Sequence, residues 1–359
     1  MTPPRTLVLP LLLAACLGGP SGRSGPSGPE PPPGQLCTFI NPVLATGADP
    51  WVVRSDGAYY FIESRDGGIW VYRSTALTNL RQNGVKIWQA PAAGWNSGNV
   101  WAPELHSIDG RWYVYYAAGT PGAPFIHQRA GVLESAGADP QGAYADRGRL
   151  DTGGSLATRD DDVWAIDLTV GVIGGQLYAI WSGWTANAVT DATPQQLYIA
   201  RMASPTTMAT SRVQLSAPVE AWERGGPLDL QEGPTLLTHA GHVFVIYSTR
   251  ESWTKDYRLG QLRLADGGAD PLLPDSWTKS GPVFTGAGTV YGVGHASFTT
   301  SPDGTESWIV YHSKRLATDG WDDRLVRTQR FGWKADGSPD FGAPTPDGQS
   351  AAVPSGQCP

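Results

Sequence analysis

The stretch WAPELHSIDGRWYVYYAA, residues 101–118, decides how this chain folds. Its first half is a short strand pattern behind Glu104, and its second half is aromatic. Asp109-Gly110 between them is a two-residue turn signal, so the stretch reads as a β-hairpin. Four other stretches repeat it: GADPWVVRSDGAYYFIES from residue 47, AIDLTVGVIGGQLYAIWSG from 165, QEGPTLLTHAGHVFVIYST from 231 and GHASFTTSPDGTESWIVYHS from 294. Each has a polar residue, a short strand, a Gly-bearing turn and a second, aromatic-rich strand. The leading polar residues are Asp49, Glu104, Asp167, Glu232 and His295, with successive spacings of 55, 63, 65 and 63 residues.

A repeat of this length holds about four strands and is slightly longer than the common propeller blades of about 40–50 residues. Five such units in a 359-residue chain predict an all-β, five-bladed β-propeller in one domain. Convincing helical periodicity is absent, and 45 Gly and 30 Pro divide the chain into short segments. The even spacing of five echoes disfavours a pair of β-sandwiches.

A single Asp at the mouth of a strand is ordinarily a turn or cap residue. Repetition changes the reading of Asp49. If equivalent positions open the innermost strand of every blade, they face one axis, and four of the five leaders are acidic. Crowding carboxylates in one funnel costs repulsion and desolvation, which a purely structural propeller has no evident reason to bear. Carboxylates whose pKa values are pushed apart suit acid–base cleavage of a glycosidic bond.

Composition excludes other classes. A formal net charge of −7 offers no basic footprint for nucleic acid, and 16% charged residues do not make a polyanion. No Gly-rich phosphate loop leads from strand to helix, no Cys/His cluster has zinc spacing, and no nucleophile elbow occurs. Fifteen Trp and thirteen Tyr are many for this length. Most belong to buried sheet faces, and a few are expected to stack on sugar rings.

The motifs ADPWV, VWAPELHSIDGRWYVYYAAG, EGPTLL, YGVGHASFTTSPDG and FGWKADGSPDFG, one per blade and in order, resemble glycoside hydrolase family 43 of clan F. The resemblance runs from about Asn41 to Pro344 and is closest to the exo-α-1,5-L-arabinofuranosidase branch. It implies an inverting hydrolase in which Asp49 is the general base, Glu232 the general acid and Asp167 a third carboxylate that orients the acid and raises its pKa. One departure is Leu168, which follows Asp167 where the family usually has a smaller residue. His295 matches an axial histidine that helps hold a calcium or sodium ion through waters; the other reading is a satisfied histidine near the core. The chemistry itself requires no cofactor. Arg324 matches a sugar-binding arginine, with Arg327 as competitor. Trp101 and Trp164, beside Glu104 and Asp167, are candidate sugar platforms or core residues. Glu104 itself reads as structural, pinned by local backbone or an Arg. The implied substrate is arabinan, arabino-oligosaccharide or arabinoxylan. β-Xylosidase, endo-arabinanase and a non-catalytic sugar-binding propeller are the alternatives.

The ends of the chain carry a separate message. Residues 1–16 have a basic start at Arg5 and an apolar run, Leu7 to Ala15, too short to span a membrane. The run ends in Leu13-Ala14-Ala15-Cys16, which resembles a bacterial lipobox with Cys16 as the lipid-bearing residue; an ordinary signal peptide is the other reading. Residues 17–36 are rich in Pro, Gly and Ser and read as a tether to the propeller of residues 37–359. The expectation is an exported monomer, lipid-anchored at the cell surface or secreted, touching membrane only through that anchor. Cys37 and Cys358 flank the repeats, and export permits a disulfide between them; two free thiols are the alternative.

Overall fold

A computed structural model describes residues 37–156 and 162–358. Five antiparallel sheets follow one another along the chain, each a blade whose strands pair in sequence order. Their innermost strands are Trp51–Ser55 (blade I), Gly98–Ile108 (II), Ala165–Ile173 (III), Gln231–His239 (IV) and Tyr291–Thr300 (V). Blade III carries two short segments, Thr207–Met208 and Val213–Ser216, along its third strand; the other blades have four strands. Among the described residues the one helical element is the 3-10 turn Pro274–Ser276. The all-β, five-bladed expectation holds.

The second strand of each blade explains the aromatic runs. Arg111–Gly119 is buried at every position after Arg111, and Ser307–Lys314 at every position after Ser307. A strand covered on both faces by neighbouring blades has no solvent side, so its pattern is continuous instead of alternating. The core is accordingly divided into clusters between adjacent blades. One joins blades I and II through Tyr60, Ile62, Leu105 and Tyr116, and another joins IV and V through Phe244, Phe284, Tyr311 and Phe331. The turns obey the same economy: Asp109 and Gly110 both have positive φ, 50° and 77°, as the tight hairpin requires.

Closing the ring is the remaining problem, because blades V and I are the ends of the chain. Val52, Phe61, Leu77, Trp308, Val310 and Val326 form an apolar cluster across this seam. Residues just before blade I then run along blade V. Leu44 and Val326 exchange backbone hydrogen bonds of 3.2 and 3.0 Å, and the Asn41 side chain both donates to Thr328 O and accepts from Thr328 N. From the other side, the Gln357 amide accepts from Leu77 N at 2.8 Å and donates to Thr78 at 2.7 Å. Thr38–Ile40 pairs with Ser350–Ala352, and beside this ribbon Cys37 is disulfide-bonded to Cys358 with Cα atoms 6.2 Å apart. The bond closes a loop with a sequence separation of 321 residues, and disulfides typically stabilise by about 2–4 kcal/mol through the unfolded chain. The segments 1–16 and 17–36, with Cys16, lie outside the described residues.

Candidate active site

The innermost strands do more than open on a common axis. Four of them have a register slip near their start, at Trp101/Glu104, Ile166/Thr169, Glu232/Thr235 and Gly294/Ser297. Each slip holds one residue with positive φ: Ala102 (41°), Asp167 (54°), Gly233 (52°) and His295 (47°); in blade I the matching residue is Asp49 (48°), just ahead of its strand. Four of these five are not glycine, and each such residue costs of order 1–3 kcal/mol of backbone strain, which clusters at functional sites. The bulge turns the side chain out of the ladder toward the axis.

This corrects the repeat as read from sequence. The equivalent positions are Asp49, Ala102, Asp167, Gly233 and His295. Glu232 sits one residue before its bulge and Glu104 two after. Glu104 is buried against His106, with Nε2 at 2.8 Å from Oε2, and the Thr169 side chain of the next blade also stabilises its charged form, so side chains other than an arginine hold it. Burial foremost pushes the Glu104 carboxyl well above its usual range and lowers His106 to about 3.

Asp49 has three basic neighbours. Its Oδ1 lies 3.2 Å from His295 Nδ1, 3.2 Å from His312 Nδ1 and 3.3 Å from Arg324 Nη1. Its backbone N–H is directed at His312 Nδ1. Burial opposes the charge, but His295 and Arg324 outweigh it and hold the carboxyl well below the usual carboxylate range. His312 is itself lowered to about 4, by burial first and against the pull of Asp49.

Glu232 lives differently. It is 7% exposed and accepts one hydrogen bond, from Tyr257 Oη at 2.9 Å. Burial raises it to about 7; the Tyr257 bond works against that, and the Asp49 charge adds to it. The expectation that Asp167 supplies the raising charge therefore gives way to burial as the leading cause. Asp167 is also raised to about 7, by burial first, with His295 opposing and Glu232 and Asp49 adding to it. Its Oδ2 accepts the Gly233 N–H at 3.0 Å and lies 3.9 Å from His295 Nδ1. Gly233 is tightly fitted: a Cβ would stand 3.1 Å from the His295 ring, at a φ of 52° that L side chains rarely adopt. The third carboxylate thus reaches the next blade through backbone adjoining Glu232.

A cavity of about 490 Å³ opens beside Asp49, lined by Trp101, Pro103, Glu63, Arg81 and Arg324 among others. Trp101 stands where a sugar platform was expected. Trp164 does not: it is 2% exposed, stacked on Trp184 at 4.4 Å, and its indole N–H donates to Phe125 O. It lies just ahead of the blade III strand and packs into a buried cluster with Ala117, Ile166 and Trp184, which claims it for the core. Arg327 is likewise fully buried, held by Ser313 and Asp347, so of these two candidates Arg324 is the one at the site. Leu168 is buried in the cluster between blades II and III, so the bulky residue beside Asp167 is absorbed by packing. Tyr257 and His312 escaped the sequence reading: Tyr257 lies outside the repeats, and His312 lies within the second strand of the last one, where the leading polar position does not mark it. Among the described residues no group of three or more His, Cys, Asp or Glu could hold a metal ion.

Similarity to known proteins agrees with this geometry. The profile of glycosyl hydrolases family 43 matches residues 39–339. An extracellular exo-α-(1→5)-L-arabinofuranosidase of Streptomyces avermitilis is 36% identical over 356 residues, which cover 96% of this chain and 70% of that protein. An α-L-arabinofuranosidase of Humicola insolens is 35% identical over 86% of this chain, which spans 64% of that protein's length. The crystal structure of an α-L-arabinofuranosidase from Lactobacillus brevis superposes with a TM-score of 0.77 at 32% identity, covering 87% of this chain and 98% of that one. With the five blades, the axial carboxylates and a profile match over most of its length, this chain belongs to glycosyl hydrolases family 43.

Proposed function

We propose that this chain is an inverting exo-α-L-arabinofuranosidase that releases L-arabinose from α-1,5-linked arabinan or arabino-oligosaccharides. The observation that carries the reading is the opposite setting of two acids: Asp49 held ionised by its basic neighbours, and Glu232 kept protonated to about pH 7 by burial. An inverting glycosidase needs one of each, about 6.5–9.5 Å apart, with a water between base and sugar. Asp49 takes a proton from that water as its oxygen attacks the anomeric carbon. The bond to the leaving oxygen breaks on the opposite face, and that oxygen takes the proton of Glu232. Asp167 steadies the acid through the Gly233 N–H. Arg324, beside Asp49, and Trp101, across the cavity, hold the terminal sugar.

The arabinofuranosidase descriptions of the Streptomyces avermitilis, Humicola insolens and Lactobacillus brevis proteins support the sugar. The first of these is described as extracellular, which supports export here. A lipid anchor at Cys16, behaviour as a monomer and action on arabinoxylan are proposed with it. So is an axial calcium or sodium ion at His295. The side chains there offer imidazole nitrogen where a hard cation wants about six to eight oxygens, so water would have to complete its shell, and no catalytic step is assigned to it.

The test is hydrolysis of p-nitrophenyl α-L-arabinofuranoside against p-nitrophenyl β-D-xylopyranoside, with proton NMR of the first product. The reading requires a preference for the arabinoside and an inverted anomer. Preference for the xyloside or a retained anomer overturns it.

A further inference from the structure

Among the described residues Trp321 is the one exposed tryptophan of the chain's fifteen, at 51% exposure. It is also linked to Asp49 through a charged side chain. The Arg324 guanidinium lies 5.3 Å from the Trp321 ring centre and reaches Asp49 Oδ1 at 3.3 Å. The ring is not a lone surface residue: it pairs with Trp253 and stands beside the arginine that lines the site cavity.

The loop that displays it is firmly built. Lys314 is fully buried, and its ammonium binds Gly320 O and Asp323 Oδ1, each at 2.5 Å, inside the loop it anchors. Asp323 also accepts the backbone N–H of Leu316 at 2.8 Å on its other carboxylate oxygen. Gly320 N–H donates to Trp253 O at 2.9 Å, and the Trp253 and Trp321 rings pack 4.7 Å apart at 41°. Burying an ammonium costs several kcal/mol unless it is fully paired, so its use to fix a surface loop implies that the position of that loop matters.

The placement indicates which part of a substrate the pair meets. Trp253 belongs to the segment after the second strand of blade IV, and four residues later the same segment supplies Tyr257, which bonds Glu232. Trp321 belongs to the loop that ends in Arg324, which bonds Asp49. The pair therefore sits where the loop serving the acid meets the loop serving the base. A sugar ring has an apolar face of C–H groups that rests on an aromatic ring, and an aromatic close to a guanidinium also offers hydrogen bonds at its edge.

We propose that Trp321, backed by Trp253, is the platform for the arabinosyl unit on the leaving-group side of the scissile bond. This rests on the reading of the chain as an exo-arabinofuranosidase and of Glu232 as the acid that protonates that unit's oxygen. The platform makes the enzyme prefer a sugar leaving group over a small alcohol.

The experiment compares kcat/KM of wild type, Trp321→Ala and Trp321→Phe on α-1,5-arabinotriose and on methyl α-L-arabinofuranoside. The methyl glycoside has the same cleaved sugar and an alkoxide leaving group, but nothing to stack. Trp321→Ala should lose about tenfold on the triose and less than about twofold on the methyl glycoside, and Trp321→Phe should recover most of the loss. Equal losses on both substrates would mean that Trp321 only props Arg324, and no loss on either would mean that the ring touches nothing; each overturns the platform. Wild-type enzyme that cleaves neither substrate overturns the arabinofuranosidase reading and the platform with it.

Discussion

Asp49 and Glu232 are both acids at the mouths of propeller strands, yet their surroundings are opposites. Asp49 has Arg324, His295 and His312 within 3.3 Å of one oxygen. Glu232 has a single neutral donor, Tyr257, and is otherwise shut away from water. The first site favours a charge and the second disfavours one, so the proton demands of base and acid are set by neighbours and not by residue type. Blades V and I build the one environment, and blade IV with its long return loop builds the other.

The comparison breaks most visibly if the two roles are exchanged or shared. Asp49→Asn and Glu232→Gln should each lower kcat by about 10²- to 10⁴-fold on arabino-oligosaccharides while leaving the fold intact. They should differ on an activated substrate. A dinitrophenolate leaves with little need of a proton, so Glu232→Gln should regain most of its activity on 2,4-dinitrophenyl α-L-arabinofuranoside and Asp49→Asn should not. Equal deficits on both substrates would reject Glu232 as the acid.

The same contrast should shape the pH profile. Glu232 is pushed up to about 7, so kcat/KM should fall about tenfold per unit above that pH as the acid loses its proton. Asp49 is held well below the usual range, so no matching fall is expected on the acid side down to about pH 5. Asp167 is raised to about 7 as well and is coupled to Glu232, so the limb belongs to the pair. An alkaline limb that already falls near pH 4–5, or an acid limb above about pH 5, would mean that the environments are not opposed.

How much of this was legible in the sequence depends on what the repeat could carry. Hairpins of strand, Gly turn and aromatic strand fix five blades, because that pattern has few other uses. Asp49, Asp167 and His295 were singled out because they head the repeat, Asp167 and His295 within a bulge and Asp49 just ahead of its strand, and Arg324 because it belongs to a family motif. Glu104 was misplaced because even spacing cannot report a register slip of two residues, and for Trp164, open to both readings, spacing cannot report what packs over a residue ahead of its strand. Tyr257 and His312 were missed for a simpler reason: they arrive from a return loop and a return strand, and only the folded chain brings them to Glu232 and Asp49.

Stability should carry the contrast with opposite signs. Glu232 binds its proton more tightly folded, near 7, than in its ordinary range near 4.5. That contribution is fully present below about pH 4.5 and is lost as pH rises through 7, above which the fold bears a buried charge. Glu232→Gln should therefore be more stable than wild type at pH 8, by roughly 1–3 kcal/mol, with the gain gone by pH 5. Asp49 has the reverse linkage, since its charge is favoured in the fold and its contribution is present above its ordinary range. Asp49→Asn should lower the melting temperature at pH 8. The same sign for both variants at that pH would contradict the assignment.

The smallest effect isolates one atom. Tyr257 Oη donates to Glu232 Oε1 at 2.9 Å, and this bond favours the ionised acid, opposing the burial that raises it. Tyr257→Phe removes the donor and keeps the ring, which stacks on His312 at 5.2 Å and 11°. Gly294 leaves space for that ring, since a Cβ there would collide with it, so the ring has a formed slot and the variant should fold. Without the donor the ionised form of Glu232 loses a partner and its pKa must rise. The alkaline limb of kcat/KM should then move to higher pH, by up to about one unit, because a single hydrogen bond to a charged group is worth about 1.5–3 kcal/mol before water and neighbouring groups compensate. The variant would lose little at pH 6 and would exceed wild type, relative to its own maximum, at pH 8.5. A limb that stays in place or moves to lower pH would show that Tyr257 does not hold the ionised acid, and the setting of Glu232 would then rest on burial alone.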